Sequence, residues 1–286
     1  MKRSRSTLLA AALTFGAFCV PFSHAHRQWL LPSTTVLSGE GQWVSVEGAV
    51  SNNLFFPNHR PIRLESIAVA DPDGEPVEIQ NAIAGEIRSS FELQLNKPGT
   101  YALSIVSSGR RRGPGGMGGG DTLFGSWDDN GQPQRWRGTP ESLVTEGMAA
   151  KPGFKLQERG GRRLVTFVTC GSPTTKVLEP TGEGFDIEFL THPNDLYFGE
   201  AATFRLLVDG QPATEGEMTV VAGNDRFRND PGEAIFTADK DGIVTVNWPA
   251  PGRYWIEASV SSHGEAHGVP SEKTSTYILI LEVLPE

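Results

Sequence analysis

The sequence contains little cysteine, which limits how the fold can be stabilised. Cys19 and Cys170 are the two cysteines among the 286 residues. Cys19 lies in an apolar N-terminal segment typical of signal peptides, so Cys170 would have no disulfide partner in the exported chain. Phe18, the residue before Cys19, is too large for a lipoprotein cleavage site. We therefore expect neither an intramolecular disulfide nor a lipid anchor, and a fold stabilised by packing alone.

Long apolar runs and an excess of positive charge are also missing. After Val20 no apolar run reaches the roughly 18 residues that a transmembrane helix needs, so we expect no transmembrane segment in the exported chain. The 34 acidic residues exceed the 25 basic ones, and removal of the first 25 residues, which include three basic ones, changes the net charge from −9 to −12. This balance argues against nucleic acid and anionic lipid as partners, and mildly favours cations.

Motifs of the common enzyme classes are absent from the sequence. It contains no Gly-x-Ser-x-Gly nucleophile elbow and no dinucleotide fingerprint. The glycine-rich run 109–120 is not followed by the Gly-Lys-Ser/Thr of a phosphate-binding loop. Asp71-Pro72-Asp73-Gly74 lacks the later ligands of a calcium loop and is better interpreted as a hairpin turn. We therefore predict that the protein is not an enzyme.

The N-terminal residues have the three parts of a secretory signal. Lys2, Arg3 and Arg5 provide the positive region, Leu8 to Val20 form the apolar region, and Ser23-His24-Ala25 is a small-x-small cleavage site. We predict that residues 1–25 are a signal peptide and that the protein is periplasmic or secreted. His26 would then be the first residue of the exported chain.

The remaining sequence predicts an all-β protein. Short segments of alternating apolar and polar residues are separated by Asp-Gly and Pro-Gly turns, with no sustained helical period. We predict two immunoglobulin-like antiparallel β-sandwich domains, residues 26–176 with an insertion at 109–160, and residues 177–286. The predicted strands are 42–50, 62–70, 91–95, 101–106, 163–170, 185–190, 202–208, 218–222, 243–248, 254–260 and 277–283.

The insertion has a composition of its own. Residues 109–120 consist mainly of glycine and arginine, which predicts a mobile loop. Trp127 and Trp136 follow in a polar segment. Thr139-Pro140-Glu141 then provides an N-cap, an N1 proline and an acidic first turn, which predicts a short helix ending near Gly147.

A faint internal repeat supports the two-domain prediction. Pro98-Gly99-Thr100-Tyr101 is echoed by Pro251-Gly252-Arg253-Tyr254, and Asp71-Pro72-Asp73-Gly74 by Asp239-Lys240-Asp241-Gly242, in the same order. Chance similarity between β-turns is the competing explanation.

An N-terminal histidine is the most distinctive chemical feature of the predicted exported chain. The free amine, with an ordinary pKa of about 8, and the imidazole of His26 can chelate one metal ion together. A second imidazole would complete a nitrogen-rich site for copper, nickel or zinc. The alternative is that His26 simply begins the first strand.

Four further histidines could supply that second imidazole: His59, His192, His263 and His267. His59 and His192 lie in loops stiffened by proline, where either could instead bind nearby backbone groups. His263 and His267 are separated by Gly264-Glu265-Ala266, which is not the zinc-protease pattern. Two solvated histidines in a polar loop are an equal alternative to metal ligation by this last pair.

Four segments resemble one family of proteins: His26–Ser33, Phe167–Pro173, Thr191–Glu200 and Pro251–Ser259. The family is an uncharacterised group of secreted periplasmic β-proteins, a domain of unknown function, which also contains accessory components of nickel and cobalt uptake. The resemblance covers nearly the whole exported chain. It implies export, a two-domain β-architecture and a role in metal handling beside outer-membrane receptors, and it carries over His26 and, more weakly, His192 as ligands. The glycine-rich run 109–120 departs from the family pattern.

The leading hypothesis is a periplasmic accessory protein that binds a divalent nickel, cobalt or copper ion. His26 would bind it together with at least one of the other histidines and pass it to a metal transporter or outer-membrane receptor. Neutral imidazoles are needed, so the affinity should fall below about pH 6.5. Two alternatives stay open: a non-catalytic envelope binding or spacer module that uses Trp127 and Trp136, and a copper enzyme.

Overall fold

The structure is a computed structural model that describes residues 26–107 and 122–286. The predicted signal peptide and the predicted mobile loop at 109–120 lie outside the described residues. The first strands are β1 (Arg27–Pro32), β2 (Val36–Leu37), β3 (Gln42–Ser51), β4 (Arg60–Pro61), β5 (Ala68–Ala70), β6 (Gln80–Ala84), β7 (Ser89–Leu95) and β8 (Gly99–Ser107). The insertion contributes β9 (Leu123–Asp129), β10 (Gln132–Gly138) and helix α1 (Pro140–Thr145).

The rest of the described chain is also almost entirely strand. Its elements are β11 (Lys155–Cys170), β12 (Phe185–Phe189), β13 (Ala201–Val208), β14 (Gln211–Pro212), β15 (Glu217–Ala222), β16 (Ala234–Thr237), β17 (Ile243–Asn247), β18 (Gly252–Ala266) and β19 (Val269–Val283). Short 3₁₀ helices occur at Leu64–Ser66, Met148–Ala150, Lys176–Leu178 and Asp225–Phe227.

The described strands form three sheets. An N-terminal sheet has the order β1-β3-β7-β6, with β4 paired to β3. A ten-stranded central sheet has the order β10-β9-β11-β19-β18-β15-β16, and β2 and β8 also pair with β11 while β5 pairs with β8. A third sheet has the order β12-β13-β14, with β17 paired to β13.

The middle of the central sheet is buried on both faces. Because side chains alternate along a strand, Leu164 and Val168 of β11 enter the core beneath the N-terminal sheet, whereas Val165 and Phe167 enter the core beneath the third sheet. Every apolar side chain in this part of β11 is therefore packed. The prediction of an all-β sandwich architecture is confirmed.

The central sheet also connects the two predicted domains. β11 belongs to the segment 26–176 and β19 to the segment 177–286, and the two strands pair in parallel, with Leu164 opposite Ile278. Only antiparallel pairing was predicted from the sequence. The two sandwich cores thus share one sheet, and the domain boundary near residue 176 stays a prediction.

The repeated Pro-Gly-x-Tyr segments have the same local structure. The Tyr101 hydroxyl donates to the Lys97 carbonyl at 3.0 Å, and the Tyr254 hydroxyl donates to the Ala250 carbonyl at 2.6 Å. Both are tyrosine corners, a device of Greek-key sandwiches in which a hydroxyl fixes the chain a few residues upstream.

The repeated Asp-x-Asp-Gly segments also correspond. The Asp71 carboxylate accepts from the backbone N–H groups two and four residues later, each at 2.9 Å, and the Asp239 carboxylate does the same at the same distances. Each aspartate thus stabilises its own turn. The repeat in sequence is therefore also a repeat in local structure.

The described part of the insertion packs around a small separate core that Val269 and Ala266 of the β18–β19 hairpin complete. Thr139 caps α1 through a reciprocal pair of hydrogen bonds with Ser142, as the sequence predicted for a helix starting at Pro140. The rings of Trp127 and Trp136 pack against Phe154, with centroids 6.3 Å and 5.8 Å away. Both tryptophans are thus structural in this hairpin.

One strand prediction was wrong. The segment 62–70 forms a strand only at Ala68–Ala70, and Leu64–Ser66 is a 3₁₀ helix. β4 belongs to the N-terminal sheet and β5 to the central sheet, so the residues between them connect two sheets. The apolar residues of this connection alternate as those of a strand do, and the pattern alone does not distinguish the two.

Candidate metal centre

Two of the predicted ligands, His26 and His59, lie side by side. Their ring centroids are 3.9 Å apart and their planes differ by 17°, so the imidazoles are stacked. Both residues are exposed to solvent. They lie 33 positions apart in the sequence, and the fold brings them together.

His26 is held in place by the residue that follows it. The Arg27 guanidinium is ion-paired with Glu233, lies 3.6 Å from an Asp225 carboxylate oxygen and covers the Trp255 ring at 5.1 Å. The Arg27 side chain is only 10% exposed. These contacts attach the start of β1 to the β15–β16 connection and to β18, and so fix the position from which His26 projects.

His59 ends a loop that is fixed by side chains. The backbone N–H of Leu54 donates to both carboxylate oxygens of Asp225, at 2.9 Å and 3.0 Å. Asn58 accepts from the Asn52 backbone N–H at 2.9 Å, which closes the loop on itself. Asp225 therefore anchors both parts of the site, the start of β1 and the loop that carries His59.

An unusual backbone conformation supports the same loop. Phe55 has φ of 61°, in the left-handed region that non-glycine residues rarely adopt. Its ring packs edge-on against Trp29, with centroids 5.9 Å apart, and the Trp29 indole donates to the Ser51 hydroxyl at 2.8 Å. The surrounding structure thus holds a conformation that costs on the order of 1–3 kcal/mol.

The pair supplies two of the donors that a metal ion needs. Nitrogens bound to one ion at about 2.0–2.1 Å are at most about 4 Å apart. The ring centroids of His26 and His59 are 3.9 Å apart, so a rotation of the exposed rings can bring one nitrogen of each to that distance. A metal ion lies in the plane of each imidazole that it binds, so the exposed rings would turn out of the stack. No group of three or more histidine, cysteine or acidic side chains suited to a metal occurs among the described residues. A third nitrogen would have to come from the His26 amine after signal cleavage.

His192, in contrast, uses both ring nitrogens within the protein. Nδ1 accepts from the Asn194 backbone N–H at 3.1 Å. This assigns the proton to Nε2, which lies 3.2 Å from the Thr174 carbonyl and 3.1 Å from the Thr100 hydroxyl. Burial lowers the pKa of His192. The ring therefore satisfies local polar groups, which was the structural alternative to ligation.

The lowered pKa of His192 predicts a pH effect on stability. The unfolded chain binds a proton at His192 more readily than the folded chain, so the free energy of unfolding should fall as the pH drops below about 6.5. The wild-type protein should lose more stability between pH 7.5 and pH 5.5 than the His192→Gln variant, measured by urea unfolding. His267→Gln, which removes an exposed histidine, should keep the wild-type pH dependence; equal dependence in wild type and His192→Gln would refute this role.

The last two histidines lie on a hairpin rather than in an open loop. His263 is within β18, opposite Glu272, and His267 and Gly268 form the two-residue turn, with φ of 52° and 76°. Trp255, whose indole donates to the Gln28 carbonyl, marks where β18 passes the start of β1. His263 is eight residues further along β18, or about 26 Å at 3.3 Å per residue, so the fold does not bring the pair to His26.

Asp225 is the site residue that sequence reasoning missed. Its backbone partner Leu54 is 171 positions away, and no motif surrounds it. A buried carboxylate in a polar segment leaves no periodic signal, so only the fold identifies it.

The fold and the site together define an all-β protein with an exposed histidine pair at the start of its first described strand. The chain belongs to the family described as "Domain of unknown function (DUF4198)", whose sequence model matches residues 23–262. The match supports the resemblance to an uncharacterised family. No curated protein matches the chain. No helix within the described residues is long and apolar enough to cross a membrane.

Three of the solved structures that match this chain have low sequence identity and low TM-scores. A DUF4785-family protein from Legionella pneumophila is 8% identical with a TM-score of 0.23, over 79% of this chain and 50% of that one, so the chain spans about half its length. The D0-D1 domain of intimin is 10% identical with a TM-score of 0.21, over 89% and 97%. The human OSCAR ligand-binding domain is 13% identical with a TM-score of 0.19, over 91% and 100%. Similarities at this level carry no functional argument.

Proposed function

We propose that the protein is a non-enzymatic periplasmic accessory protein that binds a transition-metal ion of the nickel, cobalt or copper class and passes it to a transporter or outer-membrane receptor. The ligands are the amine and imidazole of His26, once the signal peptide has been removed, and the imidazole of His59. The observation that supports this proposal is the 3.9 Å separation of the two rings.

The donor atoms suit an ion that is bound and then passed to a partner protein. An amine and two neutral imidazoles are nitrogen donors of the type that nickel and copper bind well, and affinity for a given site of this kind rises along the series to copper. Three protein nitrogens leave coordination positions open. Since both histidines are exposed, a partner protein could take over the ion one ligand at a time.

The proposed ligand set is smaller than the five histidines predicted from the sequence. His192 makes hydrogen bonds through both ring nitrogens, and His263 lies about 26 Å along β18 from the strand crossing at Trp255. Neither competes with His59 as the partner of His26. The ligand set therefore reduces to one residue at the N-terminus and one in the anchored loop.

The test uses a chain that begins at His26 and a matched chain that keeps Ala25. Titration with nickel, cobalt, copper and zinc should give binding tighter than about 10 μM for at least one metal. The chain with Ala25 should bind at least about tenfold more weakly, because a peptide nitrogen replaces the amine of His26. Equal affinities would contradict the role of the amine, and no binding at about 10 μM would contradict the function. Mass spectrometry of the exported protein's first peptide checks the cleavage site.

A further inference from the structure

Arg162 is a shielded charged residue with an unpaired donor. It lies on β11 and is partly buried, and its Nε–H is shielded from solvent with no hydrogen-bond partner among the described residues. Arginine stays charged in proteins, so it cannot avoid the desolvation penalty by losing its proton. Buried polar groups in native proteins nearly always have a partner, and each exception calls for an explanation.

The strand positions locate Arg162 beneath the N-terminal sheet. Arg162 is two residues before Leu164 on β11, and Glu257 is two residues after Trp255 on β18. Leu164 and Trp255 both belong to the core under the N-terminal sheet, and residues two apart on a strand face the same side. Arg162 and Glu257 therefore lie on the same face, on the two strands that flank β19.

Two further arginines lie near Arg162. Arg159 precedes it on β11, across an irregularity in the pairing with β19, and Arg60 directly follows His59 in β4. Both are exposed. Burial lowers the pKa of Arg162, and the nearby charges of Arg159 and Arg60 lower it further.

The nearby acids are fewer than the arginines. Glu257 is the acidic neighbour of Arg162; burial raises the pKa of Glu257, and the charges of Arg162 and Arg27 lower it. Asp225 and Glu233 pair with Arg27. The result is a concentration of positive charge on a chain whose net charge is −9.

We propose that Arg60, Arg159 and Arg162 form a binding site for a small oxyanion, with the unpaired Nε–H of Arg162 donating to one of its oxygens. A guanidinium is a rigid fork of donors that matches two oxygens of a carboxylate or a phosphate, and such charge-assisted hydrogen bonds are about twice as strong as neutral ones. The site adjoins the histidine pair through Arg60 but uses neither imidazole. It therefore stands independently of the metal-binding proposal.

The experiment titrates metal-free protein with citrate and, separately, with inorganic phosphate at constant ionic strength by calorimetry. We expect saturable binding of at least one anion, and which one binds distinguishes the carboxylate from the phosphate source. Arg162→Gln should weaken binding at least about tenfold, because it removes a charge-assisted contact. Arg63→Gln is the matched control, since the Arg63 side chain is 82% exposed on the same connection, and it should bind as the wild type does.

Absence of binding for both anions at about 10 mM, or equal losses in Arg162→Gln and Arg63→Gln, would overturn the proposal. If Arg162→Gln does not fold by circular dichroism, the exposed variants Arg60→Gln and Arg159→Gln replace it and should each weaken binding. His59→Ala should bind the anion normally. A wild-type protein that binds the anion but binds no metal ion would therefore count against the metal proposal alone.

Discussion

Replacing His59 with alanine should weaken nickel or copper binding by the chain that begins at His26 at least about 100-fold. The reason is that the change removes one of three nitrogen donors. Even residues that only orient a ligand are worth about 10–100-fold in metal affinity, so a direct ligand should cost at least the upper value. A 100-fold loss corresponds to about 2.7 kcal/mol. Calorimetry with each metal ion measures the effect.

The hairpin histidine is the natural control for this prediction. His263→Ala removes the same side chain from an exposed position in β18, far from the start of β1. Its affinity for metal should equal that of the wild type. If both variants lost affinity equally, the metal would be bound by scattered surface imidazoles and the paired site would be excluded. The His59 side chain is exposed, so its loss should leave the free energy of unfolding within about 0.5 kcal/mol of the wild type.

Alternation predicted the strands that have one buried and one exposed face. β7, for example, alternates buried and partly exposed residues along its whole length from Ser89 to Leu95. The predicted strand at 254–260 was too short, because β18 continues to Ala266. Residues 262–265, near its end, are all exposed, so they carry no alternation for a sequence pattern to detect.

The two histidines were predictable from the sequence, but their proximity was not. The predicted cleavage site marks His26 and the flanking prolines mark His59, but nothing in the sequence pairs them. Their proximity depends on the register of β1 against β3, which places Arg27 opposite Ser51, and on the anchoring of Leu54 by Asp225. Both are contacts between distant segments, which local propensity does not determine.

Asp225→Ala should lower the free energy of unfolding by about 3 kcal/mol. The Asp225 side chain is 4% exposed, lies 3.6 Å from the Arg27 guanidinium and accepts the Leu54 backbone N–H. Removing it leaves part of the Arg27 charge uncompensated and the buried N–H without an acceptor. Breaking a buried ion pair costs about 3–5 kcal/mol, and an unsatisfied donor about 1–3 kcal/mol, although Glu233 still pairs with Arg27 and reduces the sum. Urea unfolding of the wild type and the variant measures the difference.

Asp230→Ala supplies the matched control, because Asp230 lies in the same β15–β16 connection but is exposed and only accepts from the Gly232 N–H. Its effect on stability should stay below about 1 kcal/mol.

Since Asp225 holds both parts of the candidate site, the Asp225 variant should also bind metal more weakly under conditions where it is still folded. A variant that is destabilised yet binds metal normally would show that His26 and His59 bind one ion without the Asp225 contacts. A variant as stable as the Asp230 control would show that the buried carboxylate does not hold β1 and the His59 loop together.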